Sequence, residues 1–433
     1  MELGKYSLGI GDRFGFEGAA QLRALQDAEA LGVQVTPVWN KSNREHSIIG
    51  TSPDDTRLEA DKAVDMCRWQ GPYYVDADHI GLATVDRFLS SSNFFTIDVA
   101  DYIGKPASTR SRASFMKAMD DFSGTLSIPG THRPFEVTEQ LLDEFSRTYL
   151  RAIEEAGNVY RYIAEKKGEG TFIPEVSTDE ASSPQTPAEL FLLLAAIKHE
   201  GIPIQTIAPK FSGAFLKGVD YVGDIHQFTR EFEDDLAVVA FAVKTFKLPQ
   251  DLKLSIHSGS DKFSLYDIIH KVLEKSEAGL HLKTAGTTWL EEVIGLAASG
   301  GKGLKLVKEI YSEAIKRYDE LCKPYLTVID IDKKLLPNPA EVNAWSSKEY
   351  IETLQHDQKN PRYNVHFRQL VHVGFRIAAE MGSRYKNLLK DCRQEIESNV
   401  TTNLFDRHIQ PLFLGQPESE KGRSTKKSGL VPA

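Results

Sequence analysis

Cysteine is scarce: Cys67, Cys322 and Cys392 are the whole complement of 433 residues. They lie far apart and form no CxxC pair, which excludes a thiolate zinc site and a disulfide framework. Each falls in a helix-like stretch, where a buried or half-buried thiol is the ordinary outcome, and this usage suits a reducing cytoplasm. Positive charge is also in deficit. With 52 Lys and Arg against 61 Asp and Glu, the net charge is −9, so the chain lacks the basic footprint that nucleic acid or a membrane surface requires. An anionic small molecule is not excluded, because a pocket can be locally basic. No apolar run approaches a membrane span, the best being 190–197, and residues 1–11 hold no apolar targeting core. The expectation is a cytoplasmic protein with no nucleic-acid or membrane partner. Homo-oligomerisation is left open.

What the chain does have is a repeating alternation of strand and helix patterns, the mark of an α/β fold. Strands are expected at 6–10, 33–39, 73–78, 94–99, 171–177, 204–208, 252–257 and 280–284. Helices follow at 18–31, 54–68, 82–90, 187–199, 224–246, 264–276 and 289–296, and a long insertion after the fourth strand carries a helical stretch at 137–166. Eight such units without a hairpin between them favour a closed (β/α)8 barrel of the TIM type over an open sheet. The barrel should occupy residues 1–300. Residues 301–415 read as a helical extension packed on it (304–321, 347–354 and 367–393), and residues 416–433, rich in Ser, Gly, Lys and Glu, read as a disordered tail.

Chemistry in such a barrel sits where the strands end. Here those ends are crowded with polar groups: Arg13 after the first strand, Asn40 after the second, Asp76, Asp78 and His79 on the third, and Asp98 on the fourth. The fifth ends in Glu175, Ser177, Asp179 and Glu180, and Lys210 follows the sixth. His257 to Lys262 and His281 to Thr284 complete the rim. Buried charge is costly unless paired or bound to metal, so this convergence points to a site. Side chains alternate along a strand. Leu254, Ile256, Leu280 and Leu282 should therefore face the helices, which sends His257, His281 and Lys283 inward, while Glu175 and Ser177 point together.

Two inward imidazoles with carboxylates suit a divalent ion of the Zn, Mn, Ni or Fe kind. The expected ligands are His257, His281 and Glu175, with a fourth from the run Asp76-Ala77-Asp78-His79. We take His79 as that ligand, with Asp78, Glu175 and Lys210 as candidates for proton transfer. Alternation sets Asp76 and Asp78 against His79, and the strand ends there, so the pattern alone does not say which points in. Ser258, Gly259, Ser260, Asp261 and Lys262 before a helix can form an anion cradle. Arg13, Asn40, Asp98, Lys283 and Thr284 complete the expected substrate contacts. Gly9, Gly11 and Gly15 nearly match a dinucleotide fingerprint, but the third glycine is one position late and no acid follows the second strand, so no NAD is expected. His46, His132, His199, His226, His270, His356 and His408 read as structural.

Several blocks together resemble the tagaturonate epimerase family. They are Tyr74 to His79, Phe95 to Asp98, Glu175 to Ser177, Lys217 to Tyr221 with Gly223 and Asp224, His257 to Ser264, His281 to Thr287, and Arg368 to Val373. They occur in that family's order and run from Gly9 to His372. The resemblance implies interconversion of tagaturonate and fructuronate, with fructose and tagatose as substrates of some relatives, and it implies metal dependence. Arg368 and His372 join the expected substrate contacts. Two departures bear on substrate preference: the chain begins almost at its first strand, where some relatives carry more sequence, and Lys210 stands where an arginine is expected.

The carbon inverted in that reaction is β to the ketone, so its C–H is not acidified. Retro-aldol cleavage, rotation and re-addition is the favoured route, because transient oxidation would need a nicotinamide. A metal-dependent aldolase or aldose–ketose isomerase would use the same equipment. A non-catalytic sugar-acid binder is the alternative of another class.

Overall fold

A computed structural model describes residues 1–284 and 287–415. Ala285, Gly286 and the expected tail at 416–433 lie outside the described residues. Eight parallel strands close into one barrel: β1 (Tyr6–Ile10), β2 (Val35–Ser42), β3 (Tyr74–Ile80), β4 (Phe94–Asp98), β7 (Ile173–Ser177), β8 (Thr206–Ala208), β9 (Lys253–Ile256) and β10 (Leu280–Lys283). β1 pairs with both β2 and β10, which leaves no edge. The remaining two strands, β5 (Gly124–Leu126) and β6 (Phe135–Val137), form an antiparallel hairpin inside the insertion after β4.

Alternation sorts the strands as expected. Leu8, Ile10, Ala77, Phe95, Ile97, Val176, Ile207, Leu254, Ile256, Leu280 and Leu282 belong to the main core between sheet and helices. The other face fills the barrel. At its base Leu3, Val38, Tyr74, Phe94 and Ile173 form a separate apolar plug, and above the plug the inward residues turn polar. Helix Pro187–His199 shows how locally the wrapping is specified. Thr186 and Glu189 make a reciprocal capping box, Pro187 opens the first turn, and the run from Leu190 to Ile197 is buried on every side.

Two expectations about elements are corrected. The stretch 82–90 holds only a short turn at Val85–Arg87 rather than a helix. Ser90, Ser91, Ser92 and Asn93 close it, and such side chains compete for backbone hydrogen bonds instead of propagating a helix. The insertion holds the β5–β6 hairpin besides helices Thr109–Ala118, Glu139–Phe145 and Arg151–Lys167; three-residue strands are too short to leave a period in the sequence. Beyond residue 300 the chain is helical and builds a second core around Trp289, Tyr311, Tyr350 and Phe367. The last described helical segment, Phe405–Leu414, returns to the barrel, where Phe413 meets Tyr6 with ring centroids 4.8 Å apart. No described helix is long and apolar enough to cross a membrane.

The loop after β1 is organised around Asp12, whose carboxylate accepts backbone N–H groups from Phe14, Gly15, Phe16 and Glu17 at 2.5–3.0 Å. Glu17, Glu59 and Glu292 are buried nearby. Burial, reinforced by the Asp12 and Glu397 charges, pushes the Glu17 carboxyl up to about 8. Folding therefore takes up a proton between the ordinary carboxyl value of 4.5 and about 8, and stability falls as pH rises through that window. Glu17→Gln removes this penalty. Its stability relative to wild type should rise from near zero at pH 5 to about 1–3 kcal/mol at pH 8, read by urea unfolding at both pH values. An equal difference at both would contradict a buried, titrating Glu17.

Candidate active site at the barrel mouth

The polar interior is organised by one lysine. Lys283 leaves β10 and crosses the barrel to the opposite wall. Its ammonium donates to Asp76 Oδ2 and Asp78 Oδ1, both at 2.9 Å, and to Thr96 Oγ1 at 2.6 Å, and it lies 3.3 Å from Glu175 Oε1. Gly9 makes room for this crossing. A Cβ there would stand 2.9 Å from the Lys283 Cα and 2.8 Å from Asn40 Nδ2, both too close. Burial alone would push the Asp78 and Glu175 carboxyls up. Lys283, with His79 beside Asp78 and His257 beside Glu175, overrides burial and holds both well below the usual range. Asp76 is left raised to about 6, because burial outweighs Lys283 there and Asp78 and Glu175 add repulsion.

Above this layer lies a second group. One donor atom each from His79, Asp179 and His257 fall within 4.8 Å of one another. Each imidazole is tied on one side and open on the other. His79 Nδ1 is 2.9 Å from Asp78 Oδ1, while its Nε2 is 3.6 Å from Asp179 Oδ1. His257 Nε2 is 2.8 Å from Glu175 Oε1, while its Nδ1 lies 3.2 Å from Asp179 Oδ2. A carboxylate on the far nitrogen fixes tautomer and ring orientation in metal-binding histidines, and two imidazoles with one carboxylate are a donor set for zinc-like ions. The residues fit a divalent metal. Exposure shows the direction of approach: the Asp76 and Glu175 side chains are 0% exposed, against 17% for Asp78, 24% for Asp179 and 25% for His79. Solvent and ligand reach the group from the His79–Asp179 side.

His79 enters this group through a backbone irregularity. Its φ is +56° and the β3–β4 register shifts between Ala77 and Ile80. The bulge rotates His79 to the side that Asp78 faces, which strict alternation forbids. Asp179 was not among the expected site residues. It follows β7 in a turn, held by the Ser177 hydroxyl, where alternation no longer applies; its place in an acidic run after a strand end was the available signal. Thr96, bound to Lys283, was also missed as a site residue, and Asp76, expected only as one candidate for the fourth ligand, binds Lys283 as well.

His281 stands elsewhere. It is two residues below Lys283 on β10, its Nδ1 meets Ser7 Oγ at 2.9 Å and its ring packs on Phe94 with centroids 5.4 Å apart. Burial lowers its pKa to about 3, so it is a neutral interior residue outside the donor group. Lys210 bonds the Ala181 carbonyl and braces the loop after β7. The expected cradle is spent on structure. Lys262 Nζ donates to the carbonyls of Leu216, Val219 and Ser260 at 2.8–2.9 Å, and Asp261 is enclosed by Arg368, His356 and His408. Ser258, at φ +51°, is half-buried. Thr284 Oγ1 donates to the Gly9 carbonyl at 2.6 Å, and Asp98 accepts from the Ala100 N–H at 2.9 Å. Asn40 lies beside Gly9. Arg13 pairs with Glu45 at 3.2 Å, meets His372 Nε2 at 3.5 Å and covers the Phe375 ring.

The barrel and the chemistry at its mouth define an enzyme of the (β/α)8 class. Residues 1–410 match the family described as UxaE, tagaturonate epimerase. The chain belongs to that family and is a carbohydrate epimerase. It is 27% identical over 422 residues to the tagaturonate/fructuronate epimerase of Thermotoga maritima, covering 94% of this chain and 80% of that protein. A glycerol-complexed crystal structure of fructuronate-tagaturonate epimerase UxaE from Cohnella laeviribosi shares the fold, with a TM-score of 0.77 at 22% identity over 95% of this chain and 82% of that one. The native structure of that protein gives 0.75 at 23% identity, with the same coverage.

Proposed function

We propose that this chain interconverts tagaturonate and fructuronate in the cytoplasm, with a divalent metal held by His79, Asp179 and His257, and by retro-aldol chemistry. The observation that carries the reading is the pairing of a preformed donor trio with an ionised carboxylate layer directly behind it. When bound, a divalent ion would supply Lewis-acid polarisation of the ketone and its neighbouring hydroxyl. The chain's own part is to move a proton and to hold charge. Asp78 is exposed enough to reach substrate, and it is ionised, so it can accept the proton of the hydroxyl on the carbon to be inverted. The bond between that carbon and the one next to the ketone then breaks, leaving an aldehyde, and the electron pair passes to the ketone oxygen as an enediolate. The aldehyde turns its other face, the bond re-forms, and Asp78 returns the proton to the new hydroxyl. Lys283 keeps Asp78 and Glu175 charged together throughout. Fructose and tagatose, which lack the carboxylate, would be weaker substrates.

Proton NMR of tagaturonate with the protein tests this. Fructuronate should accumulate to a constant ratio, stop forming after chelation and resume when divalent metal is added. Accumulation of three-carbon products would indicate an aldolase, an aldose an isomerase, and binding without turnover a sugar-acid binder. Full activity of metal-free protein would refute the metal's role.

A further inference from the structure

We infer that Lys217 is the anchor for the substrate's carboxylate, and that Lys262 and Arg368 are positioning residues that hold it there. The inference rests on the epimerase reading and adds to it the basis for preferring a uronate over a neutral ketohexose.

Lys217 lies between β8 and helix Ile225–Phe246, in a loop closed at its neck by a bridge between Ala214 and Val222. The backbone around it is tied at four consecutive residues. Lys262 Nζ donates to the Leu216 and Val219 carbonyls, both at 2.8 Å, Arg368 Nε donates to the Gly218 carbonyl at 2.5 Å, and the Lys217 N–H donates to the Val328 carbonyl at 2.8 Å. Lys262 and Arg368 are almost wholly buried. Arg368 also pairs with the buried Asp261, but Lys262 spends a buried ammonium on carbonyls, which is costly, and burial drags it down to about 7 against the pull of Asp261 and Asp220. The expenditure is intelligible if the loop's position matters. Gly218 takes φ +73° and lies so near His372 that a Cβ would stand 3.2 Å from Nδ1, so the turn is fitted closely against the mouth.

All this order presents one side chain that the protein itself does not use. The Lys217 ammonium forms no hydrogen bond or ion pair with any described residue. It is half-buried, and its charged neighbours are Glu45, Arg44, Arg13 and Asp78. Glu45 is already bridged to Arg13, and Asp78 to Lys283 and His79. Lys217 therefore adds an unmatched positive charge on the flank of a mouth whose floor is acidic. Lys262 and Lys283, the lysines among the expected substrate contacts, are both saturated by protein oxygens. In a ketohexuronate the ketone and the carboxylate stand toward opposite ends of the carbon chain. Such a molecule can place its ketone end at the His79–Asp179–His257 group and its carboxylate on Lys217.

The test compares wild type, Lys217→Met and Lys217→Arg in tagaturonate turnover followed by NMR, with thermal unfolding of each. In Lys217→Met, KM should rise about 30-fold or more while kcat changes less than about fivefold, the signature of a lost charge-assisted contact to the bound substrate. Lys217→Arg should recover most of the KM, and both variants should melt within about 2 °C of wild type. An unchanged KM overturns the anchor. So does a fall in kcat alone, which would put Lys217 on the reacting centre, or a KM change matched by a fall in melting temperature, which would make its role structural. Failure of the wild type to turn over tagaturonate defeats the epimerase reading itself, and the anchor with it, and is told apart by the protein in which it occurs.

Discussion

Lys283→Met will destabilise the folded chain by about 3–5 kcal/mol at neutral pH, and part of that loss will be recovered in acid. The wild-type ammonium has Asp76, Asp78 and Glu175 oxygens within 3.3 Å, and among the described residues no other lysine or arginine bonds to those three. Methionine fills similar volume but leaves three carboxyls facing one another, with Asp76 and Glu175 wholly buried. In wild type, burial raises Asp78 and Glu175 and Lys283 with its histidine neighbours overrides it, so both sit well below the ordinary range. Their contribution is present above the usual carboxyl value of about 4 and is lost only as pH falls through the depressed values. Without the ammonium, burial and mutual repulsion win, the folded-state values rise above the unfolded ones, and the folded variant takes up protons as pH falls. The gap between variant and wild type should therefore shrink by about 1 kcal/mol or more between pH 7.5 and pH 5. Urea unfolding at the two pH values measures it. Equal stability at pH 7.5, or a gap that does not change with pH, would show that Lys283 does not neutralise the cluster.

The barrel was legible because its cause is periodic. Alternation along β9 and β10 sends His257, His281 and Lys283 inward, and each is buried in the structure. What alternation cannot supply is depth. His281 and Lys283 share a face, yet two residues along a strand are about 6.6 Å apart, enough to put one against the apolar plug and the other at the reacting layer. Nor can it follow the chain past a bulge or off a strand end, and His79 and Asp179 stand at those two places. The Ser258–Lys262 stretch misled for another reason. Its residue types suit an anion, but Asp261 and Lys262 meet charges and carbonyls from residues 216, 219, 356, 368 and 408, distant in sequence and invisible to any local pattern.

That difference in depth gives the second large effect. Asp179→Ala should abolish metal binding, and His281→Asn should not. Asp179 is the one carboxylate facing both open imidazole nitrogens, Nε2 of His79 and Nδ1 of His257. Its loss removes the anionic donor that faces both rings and leaves His79 held only by Asp78 and His257 only by Glu175. Outer partners such as Asp78 and Glu175 carry about 10–100-fold in metal affinity in comparable sites, and a direct donor should carry more. Metal bound per chain, measured by elemental analysis after gel filtration, should fall below about a tenth of the wild-type value, and turnover should drop on the order of 1,000-fold with the loss of Lewis-acid polarisation. Asp179 lies partly exposed at the rim, so the fold should survive the change. His281→Asn keeps a polar group within reach of Ser7 and alters nothing in the donor trio. It should cost stability through lost contacts with Phe94, with the metal content unchanged. The opposite outcome, metal lost from His281→Asn and retained by Asp179→Ala, would move the centre one layer down and make the His79–Asp179–His257 group a hydrogen-bonded cluster at its entrance.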